Sequence, residues 1–184
     1  MNAFIDLGSH FGSILRKFVA SKSYFPDFVL HAFEPNPKIN GQIFAAYPAG
    51  TIVHREAVYV SDGEIDFYIN AQCPALVQGS SIFKEKITGD LDKLHPVRVK
   101  AINFSKWLRD TFSESDNVIT KCNIEGAEYP VFDTVMNDGN IGIIKKLILK
   151  RHWHKIGMSQ DADLKFYDRL SSYKHLELTN KYEF

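Results

Sequence analysis

Apolar residues collect in short dense runs along this chain, at Ala3 to Leu7, Phe28 to Phe33, Val118 to Ile124 and Ile143 to Leu149. A run that stays apolar without alternating is the mark of a strand buried on both faces, as in parallel sheets. Val97 to Ile102 alternates instead, and His175 to Leu178 reads as a closing strand. Between these runs the period lengthens. Gly12 to Lys22 carries Ile14, Leu15, Phe18 and Val19 at helical spacing, with Arg16, Lys17 and Lys22 opposite. Lys38 to Tyr47, Ser105 to Thr111, the stretch from Glu125 to about Asn137, and Asp161 to Ser172 suit further helices. Thr51 to Val60 and Glu64 to Ile69 read as two strands joined at Ser61-Asp62-Gly63, where Asp-Gly predicts a hairpin. Gln72 to Leu94 is polar and carries Gly79, Ser80 and Ser81, which predicts a surface excursion or lid.

Strands alternating with helices predict an α/β fold, a doubly wound and mostly parallel sheet with helices on both faces and an added antiparallel hairpin. The 184 residues fit one domain spanning 1–184, and no repeat or linker divides them. Lys+Arg and Asp+Glu are both 22, so there is no overall cationic field to gather nucleic acid. No apolar run approaches the ~18 residues of a membrane helix, and the first residues lack a basic leader. Cys73 and Cys122 make no disulfide framework and no zinc spacing, so a reduced, cytoplasmic setting is expected.

In such sheets ligands bind beyond the carboxyl ends of the strands. The first strand runs into Asp6-Leu7-Gly8-Ser9-His10-Phe11-Gly12, a loop whose glycines permit a tight turn, although its spacing is not the G-x-G-x-x-G of dinucleotide folds. The second ends in Glu34, where a carboxylate can accept from both hydroxyls of a ribose. Lys121 to Glu128 crowds Asn123, Glu125 and Glu128 around Gly126 at a strand-to-helix junction. Helix-dipole stabilisation explains acids there, but not an amide and acids together opposite a glycine loop. Lys150 to Lys155 contains His152 and His154, which would face the same way in extended chain. Metal ligation there is the weaker reading and no metal is expected; His152 is the better candidate as a proton acceptor. Acids at several strand ends favour a ligand with a ribose and positive charge over one with a pyrophosphate. S-adenosyl-L-methionine has those features.

Ile5 to Gly12, Phe33-Glu34-Pro35-Asn36-Pro37, Asp62-Gly63 before Phe67-Tyr68, Ser80-Ser81, and Lys121 to Glu128 together resemble FkbM-type methyltransferases in order and spacing. The resemblance implies a Rossmann-like, S-adenosyl-L-methionine-dependent enzyme acting mainly as an O-methyltransferase on sugars or other hydroxylated small molecules. It implies that Asp6, Gly8 and Gly12, with His10 in the same loop, line the methionine end of the cofactor. Glu34 would bind the ribose, and Glu56 with Ala57 would lie near the adenine. Two positions depart from the family's usual pattern: Asn123 stands where an aspartate is common, and Lys150-Arg151-His152 replaces a Glu-x-His.

The catalytic set expected is His152 as proton acceptor, with Glu125 and Asn123 orienting substrate or cofactor. Three rival readings remain. One is a non-catalytic cofactor-binding module, suggested by Asn123 and Lys150. The others are a nicotinamide oxidoreductase, disfavoured by the glycine spacing, and a nucleic-acid methyltransferase, disfavoured by zero net charge. No separate substrate domain is visible, so a partner subunit of a homo-oligomer is expected to help hold the acceptor.

Overall fold

The computed structural model describes residues 1–39, 41–71 and 78–184. In chain order the strands are β1 (Asn2–Leu7), β2 (Phe28–Phe33), β3 (Ile52–His54), β4 (Ala57–Tyr59), β5 (Gly63–Phe67), β6 (Val97–Asn103), β7 (Asn117–Cys122), β8 (Ile144–Leu149) and β9 (Glu177–Thr179). The α-helices are α1 (Ser13–Val19), α2 (Gly41–Phe44), α3 (Phe104–Thr111), α4 (Glu128–Asn137) and α5 (Gln160–Ser171).

Six strands form the main sheet in the order β3-β2-β1-β7-β8-β9, and every pairing in it is parallel. The order reverses between β1 and β7, which opens a crevice at their carboxyl ends. Alternation along β1 sends Ala3, Ile5 and Leu7 into the core formed with Phe104, Phe132 and Leu170 of α3, α4 and α5. Phe4 points the other way, stacked 4.1 Å from Phe18 of α1. Each such fully buried phenylalanine stabilises the fold by roughly 1.5–3 kcal/mol. Helices therefore cover both faces, as the sequence pattern predicts. Among the described residues no helix is long and apolar enough to cross a membrane.

The expected hairpin forms differently. The stretch from Thr51 to Val60 is split: Ile52–His54 joins the main sheet, while Ala57–Tyr59 belongs to a second sheet, ordered β4-β6-β5. The antiparallel pairing is between β5 and β6, not between the arms of the Asp62-Gly63 turn. Strand β6 lies between the two arms, and Asp62 meets its end: Oδ1 accepts from the Asn103 amide at 2.9 Å and Oδ2 meets Lys106 Nζ at 3.2 Å. The turn is thereby fastened to the start of α3. The central strand of the second sheet is then β6, whose Val99 and Ala101 pack with Ala57, Phe67 and Ile69.

Three smaller differences follow from local chemistry. The helix expected from Lys38 to Tyr47 is one turn, Gly41–Phe44, and the strand expected to reach Ile124 stops at Cys122. The closing strand is shifted to Glu177–Thr179. Of the expected excursion at 72–94, residues 72–77 lie outside the described residues.

A histidine pair sits at the β2–β3 edge. His31 is buried, with Nδ1 3.0 Å from His54 Nε2, so one neutral ring donates to the other. Burial, reinforced by the neighbouring His54, lowers the His31 pKa to about 4. A histidine whose folded pKa lies below its unfolded value binds its proton more readily in the unfolded chain. Stability is then lost as pH falls below ~6.5. The loss expected between pH 7 and pH 5 is about 2 kcal/mol. Urea denaturation of wild type and His31→Gln at the two pH values checks it: the variant should lose markedly less, and parallel losses would reject the assignment.

Candidate active site at the strand ends

At the carboxyl end of β1 the chain turns sharply. The amides of Gly8 and Ser9 both donate to Phe33 O at 3.0 Å, tying the loop to the end of β2. Gly8 has φ +74, and a Cβ there would lie 2.2 Å from the Asn123 carbonyl oxygen at the end of β7. Only glycine lets the two strand ends approach so closely. His10 is left-handed at φ 49. Its amide donates to Glu34 Oε2 at 2.9 Å, and its carbonyl accepts from the Tyr47 hydroxyl. Holding a non-glycine residue in this region on both sides is the kind of local strain that clusters at functional sites.

Glu34 follows β2 and is nearly buried. Oε2 takes the His10 amide, and Oε1 takes the Asn36 amide at 3.0 Å. Burial raises its pKa despite those two donors. Each oxygen keeps a lone pair for an outside hydroxyl.

These ends surround a cavity of about 350 Å³. Of the expected residues, Gly8, His10, Glu34, Glu56, Ala57, Asn123 and Glu125 line it. Asp6, Gly12 and His152 do not. Asp6 is fully buried one layer below, and its Oδ1 lies 2.7 Å from Lys121 Nζ. The β1–β7 register sets these residues side by side. Lys121 also donates to Gly8 O at 2.8 Å and Leu7 O at 3.2 Å, so it braces the turn with its ammonium fully engaged. Burial raises the Asp6 pKa against the pull of Lys121. Gly12 lies beneath the Tyr47 ring, where a Cβ would meet a ring carbon at 2.5 Å.

The junction after β7 is built around Glu128, which is fully buried at the start of α4. Its Oε2 accepts from the Gly126 amide at 2.8 Å. Its Oε1 accepts from the His152 amide at 2.8 Å and pairs with His152 Nδ1 at 2.9 Å. A carboxylate can only accept, so the Nδ1 proton is fixed and Nε2 is turned toward Glu125 Oε1, 3.6 Å away. His152 therefore stands behind Glu125 and does not face the cavity. A 3₁₀ turn at Trp153–Lys155 leaves His154 exposed, so the two histidines do not share a direction as they would in extended chain.

Glu125 is the carboxylate that reaches the space. Burial acts to raise its pKa, but His152, Lys155 and Lys86 outweigh that and hold it below the ordinary value. Its Oε2 lies 2.9 Å from Lys155 Nζ and 3.1 Å from Lys86 Nζ. Lys86 is 1% exposed, donates also to Thr88 O at 3.0 Å and to Gly79 O, and is enclosed by the left-handed Gly79 and Gly89. The described part of the expected excursion thus wraps around an ammonium and contributes Gln78, Gly79, Ser80 and Ile82 to the cavity wall. Backbone bonds between Tyr68 and Ser81, and from Ile87 N to Lys155 O, hold it there. Asn123 Oδ1 is buried and has no hydrogen-bond partner among the described residues. Lys150 is absent from the cavity lining; its Nζ donates to Asn180 O at 2.7 Å.

Sequence reasoning missed Lys86, Lys121 as a brace, Tyr47 and Tyr182, all of which shape this region. Lys121 was adjacent to the acidic cluster and carried a signal. Tyr182 carried none.

The family model described as methyltransferase FkbM domain matches residues 6–173. No curated protein and no solved structure matches the chain significantly.

Proposed function

Since the chain belongs to the FkbM family of methyltransferases, we propose that it moves a methyl group from S-adenosyl-L-methionine to a hydroxyl oxygen of a small-molecule acceptor, a sugar above all. The observation that carries this reading is the gathering of Glu34, Glu56 and Glu125 around one cavity at the reversal of strand order. Glu34 and Glu56, neither in an ion pair among the described residues, favour a cationic nucleoside, and a volume of about 350 Å³ lies in the range of small-molecule sites. The loop amides argue against a dinucleotide. Those of Gly8, Ser9, His10 and Gly12 already donate to Phe33 O, Glu34 and Ser9 O, which leaves them nothing to offer a pyrophosphate.

Glu34, with its oxygens aimed by two backbone amides, would accept from the ribose hydroxyls. Glu56 and Ala57 would border the base. Asn123 Oδ1 needs a donor, and an amino group or an acceptor hydroxyl supplies one. The bound cofactor contributes a methyl already activated on a sulfonium. What remains for the protein is alignment and the acceptor's proton. Glu125 Oε1 orients the acceptor hydroxyl, and the Nε2 of His152, positioned by Glu128, takes the proton through it. The wall formed by Gln78, Gly79, Ser80 and Ile82 would shield the reacting groups from water. Lys150 is absent from the cavity lining and does not reverse the charge beside Glu125.

Glu34→Ala should weaken binding of S-adenosyl-homocysteine by roughly 10- to 100-fold, the size expected for hydrogen bonds to a charged group. Isothermal calorimetry measures it, and an unchanged affinity would remove the ribose assignment.

A further inference from the structure

The family match ends at residue 173, yet the cavity is lined by a residue beyond it, Tyr182. After β9 the chain turns back across the sheet. Two lysines of the β8 region hold its backbone, Lys150 Nζ on Asn180 O at 2.7 Å and Lys146 Nζ on Glu183 O at 3.1 Å. Phe184 meets Phe4 and Phe18 edge-on, with centroids 5.6 Å and 5.2 Å apart. Tyr182 lies between these anchors. Its ring is 4.9 Å from the Lys150 ammonium, and it lines the cavity together with Gly8, Lys121 and Asn123. It therefore borders the cavity where β1 and β7 end. Burial raises its pKa, so the phenol keeps its proton and is a donor.

The charges around the cavity are uneven. Glu34 and Glu56 are repulsive to any anionic part of a ligand, whereas Glu125 is offset by Lys86 and Lys155 and Lys121 by Asp6. Lys150 has no acidic partner among the described residues, and its charge lies against the Tyr182 ring. A zwitterionic amino acid joined to a nucleoside has one group that must avoid the carboxylates, its own carboxylate. We propose that Tyr182, carried in by residues 180–184 and backed by Lys150, binds the carboxylate at the amino-acid end of S-adenosyl-L-methionine, an inference that rests on the cofactor reading above. The Lys150 that departs from the family's pattern then forms one unit with a segment outside the family match.

The test is calorimetry on wild type and Tyr182→Phe with two ligands, S-adenosyl-homocysteine and 5′-methylthioadenosine, which lacks the amino acid. Tyr182→Phe should weaken the first about tenfold and leave the second within about twofold. Equal weakening of both, or no change in either, overturns the inference while the cofactor reading stands. Wild-type protein that binds neither ligand overturns both.

Discussion

Gly8→Ala should destabilise the protein by more than about 3 kcal/mol and abolish binding at the cavity. Two effects add. The left-handed φ of +74 is strained for alanine by about 1 kcal/mol or more. The larger one is steric, because the new methyl would lie 2.2 Å from the Asn123 carbonyl oxygen. That oxygen belongs to backbone, and the Asn123 amide is itself bonded to Leu7 O at 3.1 Å, so it cannot step aside cheaply. Relief requires β1 and β7 to separate at their carboxyl ends. Separation disrupts the Lys121 contacts to Asp6, Leu7 O and Gly8 O, which become unpaired buried charges and carbonyls. Gly139→Ala is the internal control. It has nearly the same φ, +76, with open space around it, and should lose only about 1 kcal/mol. Urea denaturation of the two variants separates conformational strain from collision, and equal losses would refute the steric account.

The same strand ends show what a sequence discloses and what it hides. Phe28 to Phe33 was readable to the residue because it is apolar but for the buried His31 and is bounded by Asp27 and Glu34. Asp62-Gly63 misled because turn chemistry is local, whereas the choice of partner strand is not. Nothing near residue 62 records that β6 will arrive to lie between the two arms. The switch of sheets between His54 and Ala57 likewise has no residue-level mark. Glu34 and Glu125 were legible as candidates because they stand at strand ends opposite a glycine loop, and both line the cavity. Depth was not legible: Asp6 and His152 carry the same suggestive side chains but are absent from the cavity lining, Asp6 against Lys121 and His152 with its Nδ1 on Glu128. Asp6 faces Lys121 through the β1–β7 register, and register is a property of the folded sheet. Lys86 reaches Glu125 through a loop whose course depends on two left-handed glycines, a signal too common to weigh by itself.

Glu125→Gln should reduce methyl transfer by 10²-fold or more, the scale of a lost proton-handling group, while S-adenosyl-homocysteine binds within a few-fold of wild type. The amide preserves shape and can still touch an acceptor hydroxyl. It loses the negative charge that Lys155, Lys86 and His152 converge upon. Two readouts separate chemistry from scaffolding. If Glu125 only fastens the wall through Lys86, then Lys86→Met, which removes the same contact from the other side, should depress turnover equally. If Glu125 orients the acceptor and passes its proton toward His152, Lys86→Met should retain most of the turnover number, since Lys155 at 2.9 Å still holds the carboxylate in place. Lys86→Met should instead lose about 3 kcal/mol of stability, because removing a buried cation strands the carbonyls of Gly79 and Thr88 and half the compensation of Glu125. Rates measured with labelled donor, set beside denaturation midpoints for the two variants, decide between these cases. Turnover by Glu125→Gln near the wild-type value would move the chemistry away from this carboxylate altogether.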